Sequence, residues 1–155
     1  MRLMLDSTTP AALPGNVGMI AGYINGRYTW TPADFAKFPA ARHIRINISG
    51  AHGRGNCLDV ETGDAKPADA PGWYDSIDWL PKDQLAIYCN RTTLPAVIDA
   101  MGKRDWRLWL ATLDGSMPIT YLGRHVDAVQ VLDLGAHGGP NIDVSFVRND
   151  AWHAS

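Results

Sequence analysis

The chain lacks the features that define several large classes of protein. It contains only two cysteines among its 155 residues, too few for a disulfide framework. Neither their spacing nor a nearby histidine predicts a zinc site, and Gly53-Arg54-Gly55 lacks the strand-to-helix context of a phosphate-binding loop. We therefore expect no metal and no cofactor. Cys57 and Cys89 lie in apolar runs, so we expect both to be buried free thiols.

Long apolar runs and an excess of positive charge are also absent. No stretch approaches the ~18 apolar residues of a membrane span, and Asp6 interrupts the apolar start too early for a signal peptide. The formal net charge is −2 and the lysines and arginines are scattered, which gives no electrostatic footprint for nucleic acid. We expect neither a membrane span nor a nucleic-acid partner. If the protein acts outside the cell, another component carries it there.

The composition is that of one folded domain. Apolar residues make up 46% of the chain and charged residues 19%, which are ordinary proportions for a globular protein. A chain of 155 residues can bury one sizeable core, so residues 1–155 are predicted to form a single domain. The six tryptophans and five tyrosines are many for this length. They are either core residues or stacking surfaces for sugars, and both interpretations stay open.

Eight short apolar runs, each ending in polar residues or glycine, predict eight β-strands. The predicted strands are residues 2–7, 17–24, 43–49, 56–61, 84–89, 107–112, 128–132 and 142–146. Several are almost continuously apolar, as expected for strands covered on both faces of a parallel sheet. With helices between several of them, the pattern predicts an α/β fold, a compact (β/α)8 TIM-like barrel. Some helices must be shortened or missing, because such barrels usually need ~200 to 250 residues.

Three segments between the strands carry helical signals. The predicted helices are residues 31–38, 67–74 and 93–101. Thr31 is predicted to be an N-cap, and Pro32 to lie in the first turn of the helix. Thr93 is predicted to be the N-cap of the third helix, which Gly102 ends. The second helix is weakened by an internal Pro-Gly pair.

The most informative segment is the predicted strand 56–61, which carries two carboxylates spaced i, i+2. Because side chains alternate across a strand, Asp59 and Glu61 point to the same face, with Cys57 beneath them. Neighbouring like charges push pKa values apart, so one acid can stay protonated while the other is ionised. We expect the charge of Asp59 and burial to raise the pKa of Glu61. A pair of carboxyl groups with different proton affinities is what a glycosidase uses for catalysis. The alternative interpretation is that both acids are exposed to solvent at the end of a strand.

Further polar residues fall where such a barrel would have its active site, at the carboxyl ends of the strands. Asp6 ends the first predicted strand and Asp143 lies within the last, and these two strands are neighbours when a barrel closes. Both are expected to share one pocket with the Asp-x-Glu pair. Gln130 lies in an apolar run, where an unpaired amide would cost ~1 to 3 kcal/mol. It is therefore expected to face the barrel interior, in either a structural hydrogen bond or a substrate contact.

Four other side chains are weaker candidates. Tyr88 and Trp109 lie near the ends of their predicted strands and either form a wall of the pocket or belong to the core. Arg45 and Asn47 alternate along the third predicted strand, and we expect them to face inward.

Six short motifs resemble, in their order, those of the glycoside hydrolase family 25 lysozymes. They are Asp6 at the end of the first strand, Leu58-Asp59-Val60-Glu61, Ile87-Tyr88-Cys89-Asn90, Leu108-Trp109-Leu110-Ala111, Val129-Gln130 and Ile142-Asp143-Val144-Ser145. The resemblance covers nearly the whole chain. It is particularly similar to compact glycoside-hydrolase-like TIM-barrel domains of phages and actinomycetes, in which the segment 22–30, with Tyr23, also has counterparts.

The resemblance implies an enzyme that hydrolyses the β-1,4 bond between N-acetylmuramic acid and N-acetylglucosamine. It makes Glu61 the general acid and Asp59 the partner that orients or polarises the substrate's own 2-acetamido group, while Asp6 and Asp143 position substrate or water. The residues that we predict to bind the substrate are Tyr23, Asn47, Tyr88, Trp109 and Gln130. The implied partner is peptidoglycan, and the implied setting is a phage-encoded or released lysin at the bacterial cell wall.

Departures from the family pattern keep two alternatives open. The segment between Asp6 and Asp59 is much shorter than in the lysozymes, Val129 replaces a tryptophan, and Ser145 replaces an asparagine. The first alternative is a non-catalytic glycan-binding or virion structural module on a hydrolase-like barrel. The second is a glycosidase for another polysaccharide.

Overall fold

The fold is built around a closed barrel of eight strands. The computed structural model describes residues 1–51, 53–148 and 152. The barrel strands are β1 (Arg2–Asp6), β2 (Met19–Tyr23), β3 (Arg42–Asn47), β4 (Cys57–Val60), β5 (Ala86–Asn90), β6 (Arg107–Ala111), β9 (Ala128–Asp133) and β10 (Asp143–Val147). They pair in the order β1-β10-β9-β6-β5-β4-β3-β2, and β2 pairs with β1 to close the ring. The predicted closed barrel is confirmed.

The direction of the last strand differs from that of the others. The pairings from β1 through β6 and from β6 to β9 are parallel, but β10 runs antiparallel to both β1 and β9. The end of the barrel that holds the carboxyl ends of the parallel strands therefore holds the amino end of β10. Asp143 opens β10, so the reversal brings it to the same end as Asp6.

Few of the connections are helical. The helices are α1 (Pro32–Phe35), α2 (Ala70–Ser76) and α3 (Leu94–Met101), with 3-10 turns at Pro10–Ala12, Pro67–Asp69, Lys82–Gln84 and Gly135–His137. A two-stranded hairpin that the sequence did not indicate, β7 (Thr120–Tyr121) and β8 (Arg124–His125), lies between β6 and β9. In the described part of the chain, none of the helices has the length and apolar character needed to cross a membrane. The fold is mixed α/β, with a closed barrel and few helices.

The helix signals were right in position and partly wrong in detail. Thr31 caps α1 in a capping box with Asp34, as its position predicted. The helix ends at Phe35 instead of Phe38, because Pro39 disfavours a helical conformation in the residue before it. Thr93 makes no capping hydrogen bond with its side chain, and a neighbouring asparagine takes over that role.

Strand alternation divides the core into an interior and an outer layer. Interior side chains include Met4, Met19, Ile44, Ile46, Cys57, Trp109 and Trp152. The outer faces of β4, β5, β6 and β9 pack against α2 and α3 through a larger apolar cluster that contains Cys89. Both cysteines are buried and free, as predicted, and burial raises the pKa of each thiol.

A second outer cluster fixes the end of β1 next to the first acid. Gly22 lets the rings of Trp30 and Phe35 lie directly on β2, because a Cβ at this position would come within 2.6 Å of the indole. The Trp30 Nε1 donates a hydrogen bond of 3.0 Å to the carbonyl oxygen of Ser7. This bond anchors the backbone immediately after Asp6.

Candidate functional site

An acidic pocket of about 210 Å³ opens at the end of the barrel where the parallel strands finish. Its walls are Asp6, Tyr23, Ile46, Asp59, Glu61, Tyr88, Trp109, Leu113, Gln130, Asp133 and Asp143. All four acids singled out in the sequence line it, together with four of the five predicted substrate-binding side chains. They come from seven of the eight barrel strands or from residues directly after them.

A fifth acid, Asp133, reaches the same pocket through a β-bulge. In the β9–β10 pairing Gln130 lies opposite Ser145 but Leu132 lies opposite Val144, so β9 carries one extra residue. The extra residue shifts the alternation, and both Gln130 and Asp133 line the pocket although their spacing is odd. A strict period of two cannot predict this placement, but an acid directly after a predicted strand is a usable signal.

Asp6 and Asp143 form a hydrogen-bonded pair of carboxyl groups. The two residues are directly paired across β1 and β10, and their side chains are hydrogen-bonded to each other. Gln130 also hydrogen-bonds Asp143, and its Oε1 accepts a hydrogen bond from the Tyr88 hydroxyl. Because its oxygen is occupied by Tyr88, the Gln130 amide nitrogen is the group that donates to Asp143. The amide is thus held in one orientation.

The pair differs in how firmly each member holds a proton. Burial, followed by the charges of Asp143 and Asp59, raises the pKa of Asp6 well above its usual range. Burial and the charge of Asp133 raise the pKa of Asp143 to about 6, while the hydrogen bonds from Gln130 and Asp6 oppose this rise. A protonated Asp6 that donates to an ionised Asp143 therefore describes the pair near neutral pH.

Asp59 and Glu61 lie at different depths. Asp59 is in β4 and only 4% exposed, and its Oδ1 has no hydrogen-bond partner in the described structure. Glu61 follows the strand and is half-buried at the rim. Burial, Glu61 and Asp64 raise the pKa of Asp59 well above its usual value.

The pKa of Glu61 is raised as predicted, but the cause is partly different. Burial is the largest contribution, and the like charge that acts on it belongs to Asp64 instead of Asp59. Gly63, with φ of +100°, turns the chain back after β4 and brings Asp64 towards the pair. Because Asp59 is deeper and feels the charge of Glu61, it retains its proton more firmly in the free protein. The sequence had assigned the proton to Glu61.

Asn90, at the end of β5, is a contact of Glu61 that was not singled out. Its Nδ2 donates a hydrogen bond of 3.2 Å to Glu61 Oε1, and this bond lowers the pKa of Glu61. The signal available in the sequence was its position directly after an apolar strand, the same signal that identified the acids.

The aromatic side chains form the wall and the floor of the pocket. Tyr88 and Trp109 pack edge to face with ring centroids 4.9 Å apart, and Trp109 Nε1 donates a 3.1 Å hydrogen bond to Ser145 Oγ. Burial, with the surrounding carboxylates, raises the pKa of both Tyr23 and Tyr88, which keeps their hydroxyl groups protonated. The Tyr88 hydroxyl uses its proton in the hydrogen bond to Gln130 Oε1, and the Tyr23 hydroxyl is a protonated group in the pocket wall.

Asn47 does not line this pocket, and the expected inward orientation of Arg45 and Asn47 is wrong. Ile44 and Ile46 fill the interior from β3, so Arg45 between them and Asn47 after them point outward by alternation. Arg45 and Asn47 line a separate groove on the outside of the barrel, beside α1. Apolar and polar residues alternate along this strand, and both faces of a barrel strand can be covered, so the alternation alone did not show which set faces the interior.

The rim carries one exposed apolar side chain, Leu113. It is 49% exposed and lines the pocket from the loop after β6. Its φ of +56° is unfavourable for leucine, and its backbone N–H donates to the carbonyl oxygen of Gln130 at 3.2 Å.

Comparisons with known proteins give one structural likeness. No family model matches the chain, and no curated protein matches it. Among solved structures, the fold is similar to the crystal structure of the CTP1L endolysin, a protein whose activity is regulated by a secondary translation product. The TM-score is 0.59 and the identity 16%, over 98% of this chain and 68% of the endolysin chain. At this identity the likeness shows that the two proteins share a fold.

Proposed function

We propose that the protein is a glycoside hydrolase that cleaves peptidoglycan, a lysozyme-like cell-wall lysin. The observation that carries the proposal is the pocket itself, in which Asp59 and Glu61 share a small space with three further acids. Glycosidases need two carboxyl groups with different proton affinities on either side of the scissile bond. Burial at two depths supplies that difference here.

The structural likeness supports the same proposal. The CTP1L endolysin shares the fold over 98% of this chain and 68% of the endolysin chain, and an endolysin is a lysin of the kind proposed here. We further propose that the barrel is a reduced (β/α)8 TIM-like barrel of the glycoside hydrolase family 25 type. Its setting would then be a phage-encoded or released protein that acts at the cell wall.

In the proposed mechanism Glu61 is the general acid and Asp59 assists the substrate's 2-acetamido group. The acetamido oxygen forms a bond to C1 while the bond from C1 to the leaving oxygen breaks, and the proton of Glu61 moves to that oxygen. Water then adds to C1 while the bond from C1 to the acetamido oxygen breaks, which restores the acetamido group, and a proton of the water passes to Glu61. Glu61 suits proton donation because it lies at the rim, where a glycosidic oxygen can approach it.

The order of protonation in the free protein fits this scheme if one proton is shared between the two acids. An acetamido N–H that donates to Asp59 favours the ionised form of Asp59, and the proton then passes to Glu61. Binding of the sugar also removes water from the rim, which raises the proton affinity of Glu61 further. Asp6, Asp143 and Gln130 would orient the ring or the attacking water.

The size of the pocket favours a polymeric ligand that is only partly enclosed. A volume of about 210 Å³ lies below the ~300 to 1,000 Å³ of sites that enclose a drug-sized molecule. One sugar unit would enter it, and the rest of the chain would lie across the rim.

Product analysis is the experiment that tests this function. Purified peptidoglycan from several bacteria would be treated with the protein, and the products would be identified by mass spectrometry and by their reducing ends. The proposal expects new reducing ends on N-acetylmuramic acid. Cleavage of another polysaccharide alone would favour a different glycosidase. Binding without cleavage would favour a glycan-binding or virion module.

A further inference from the structure

Asn90 has two sets of hydrogen bonds on opposite sides of its amide. Its Oδ1 accepts hydrogen bonds from the Thr92 N–H at 2.9 Å, from the Thr93 N–H at 3.0 Å and from Thr93 Oγ1 at 2.7 Å. Its Nδ2 donates to Glu61 Oε1 at 3.2 Å. One side chain therefore connects the start of α3 with the acid at the rim of the pocket.

The three donors to its oxygen determine which way the amide points. An asparagine can exchange its oxygen and nitrogen by rotation, but here rotation would place the amide nitrogen against two backbone N–H groups. The oxygen must therefore face α3, and the nitrogen must face Glu61. The Thr93 side chain makes no capping hydrogen bond of its own, and its hydroxyl donates to Asn90 Oδ1.

We propose that Asn90 is a positioning residue, which holds the Glu61 carboxylate in one orientation, favours its ionised form and is itself held by the first turn of α3. The inference deepens the proposed function, because it concerns the side chain assigned there to proton donation. The hydrogen bond itself is a property of the folded chain and can be measured whether or not a glycan is cleaved.

The charged and titratable groups around Glu61 make the Asn90 contact distinctive. Asp59 on β4, Asp64 in the following turn, Tyr88 and Cys89 on β5 and Asp143 on β10 all interact with Glu61, and each of them is negatively charged when it ionises. Burial and Asp64 raise the pKa of Glu61, whereas the Asn90 hydrogen bond lowers it. Asn90 thus keeps the proton of Glu61 from being held too tightly for transfer.

Asn90→Asp separates the two roles of this residue. An aspartate accepts the same three hydrogen bonds from the start of α3, so the cap is retained. It cannot donate to Glu61, and its charge repels the carboxylate. Both changes raise the pKa of Glu61. Asn16→Asp, at an exposed position before β2, adds the same charge outside the pocket and is the matched control.

The pKa of Glu61 can be read directly, because it is the only glutamate in the sequence. Protein labelled with 13C at the glutamate carboxyl carbon gives one side-chain resonance, which is followed by NMR from pH 3 to 9, a range chosen to bracket usual carboxyl values. We expect Asn90→Asp to raise the midpoint by about one pKa unit and Asn16→Asp to leave it unchanged. In an active enzyme, the alkaline limb of the pH–rate profile moves upward by the same amount.

A second variant keeps the test decisive if the aspartate disturbs folding. Asn90→Ser retains an oxygen acceptor for the start of α3 but has no amide to donate, so a smaller upward shift is expected. An unchanged Glu61 midpoint in a folded Asn90→Asp or Asn90→Ser protein would overturn the inference. If the Glu61 titration midpoint shifts in these variants but the wild-type protein cleaves no glycan, the role of Asn90 is supported and the proposed function is rejected.

Discussion

Asp6 and Asp143 share a hydrogen bond at the mouth of the barrel, although they come from strands that run in opposite directions. The reversal of β10 produces this contact, because it brings the first residue of β10 opposite the last residue of β1. Two carboxyl groups in contact cannot both ionise without strong repulsion, so the folded protein retains a proton there.

The retained proton predicts how stability depends on pH. Folding raises the pKa of such a carboxyl group from about 4 in the unfolded chain to a higher value in the folded protein. The group contributes its full stabilisation at pH values below the unfolded-state pKa, and this contribution is lost as the pH rises through the folded-state pKa. For Asp143 the window runs from about 4 to about 6. The free energy of unfolding should fall across this range, and Asp143→Asn should flatten the decline. Asp34 has a lowered pKa of about 2, so its effect on stability falls below about pH 4 and does not alter the slope in this range.

Urea unfolding at several pH values across that window measures the effect. Asp99→Asn, which removes an exposed acid on α3, is the control and should keep the wild-type slope. In Asp143→Asn the free energy of unfolding should still fall with pH, but less steeply than in the wild type. Part of the decline remains because Asp6, Asp59 and Glu61 also have raised pKa values. Equal slopes for wild type and Asp143→Asn would contradict the shared proton.

The hydrogen bond from Tyr88 to Gln130 predicts a second effect on stability. Tyr88→Phe removes the donor and leaves the Gln130 oxygen buried without a partner, which should cost about 1 to 2 kcal/mol. Tyr28→Phe, at a tyrosine that is 47% exposed, should change the free energy of unfolding by less than ~0.5 kcal/mol. Chemical denaturation of both variants checks the difference, and equal stability of the two would show that the bond contributes nothing.

Leu113 predicts opposite effects on stability and on binding. A leucine with φ of +56° is strained, and asparagine tolerates this conformation, so Leu113→Asn should stabilise the fold by about 0.5 to 1 kcal/mol. If a glycan crosses the rim, loss of the apolar side chain should weaken its binding about three- to tenfold. Leu122→Asn is the matched control, since Leu122 is also exposed with φ of +49° but does not line the pocket.

Thermal unfolding and titration with soluble peptidoglycan chains separate the two effects. Leu122→Asn should show the gain in stability with unchanged binding. A Leu113→Asn protein that binds as the wild type does would remove Leu113 from the contact surface.

The sequence predicted the strands and four pocket acids because both depend on local patterns. Apolar runs mark strands, and acids at the ends of runs fall at one end of a barrel when the strands are parallel. Asp133 was missed because a bulge in β9 breaks the alternation, and a bulge depends on the pairing partner. Asn47 was placed on the wrong face because it alternates with isoleucines and both faces of a barrel strand can be covered, so the pattern does not show which set faces the interior.

Other differences have a similar origin in non-local contacts. The antiparallel direction of β10 depends on the short connection after β9, which has a 3-10 turn and no helix to carry the chain back across the barrel. The role of Asn90 arises from the meeting of β4, β5 and α3. A linear pattern that correctly predicts each of these elements does not indicate which side chains meet between them.

The rate of glycan cleavage by Glu61→Gln is the decisive test of Glu61 as the general acid. The substitution keeps the shape of the side chain but removes the proton, while Asp99→Asn controls for loss of an acid. With soluble peptidoglycan chains as substrate and detection of new reducing ends, we expect kcat to fall by ~10² to 10⁴ in Glu61→Gln and to be unchanged in Asp99→Asn. Near-ultraviolet circular dichroism would verify that both variants are folded. A wild-type rate from folded Glu61→Gln would show that another group donates the proton and that Glu61 is not the general acid.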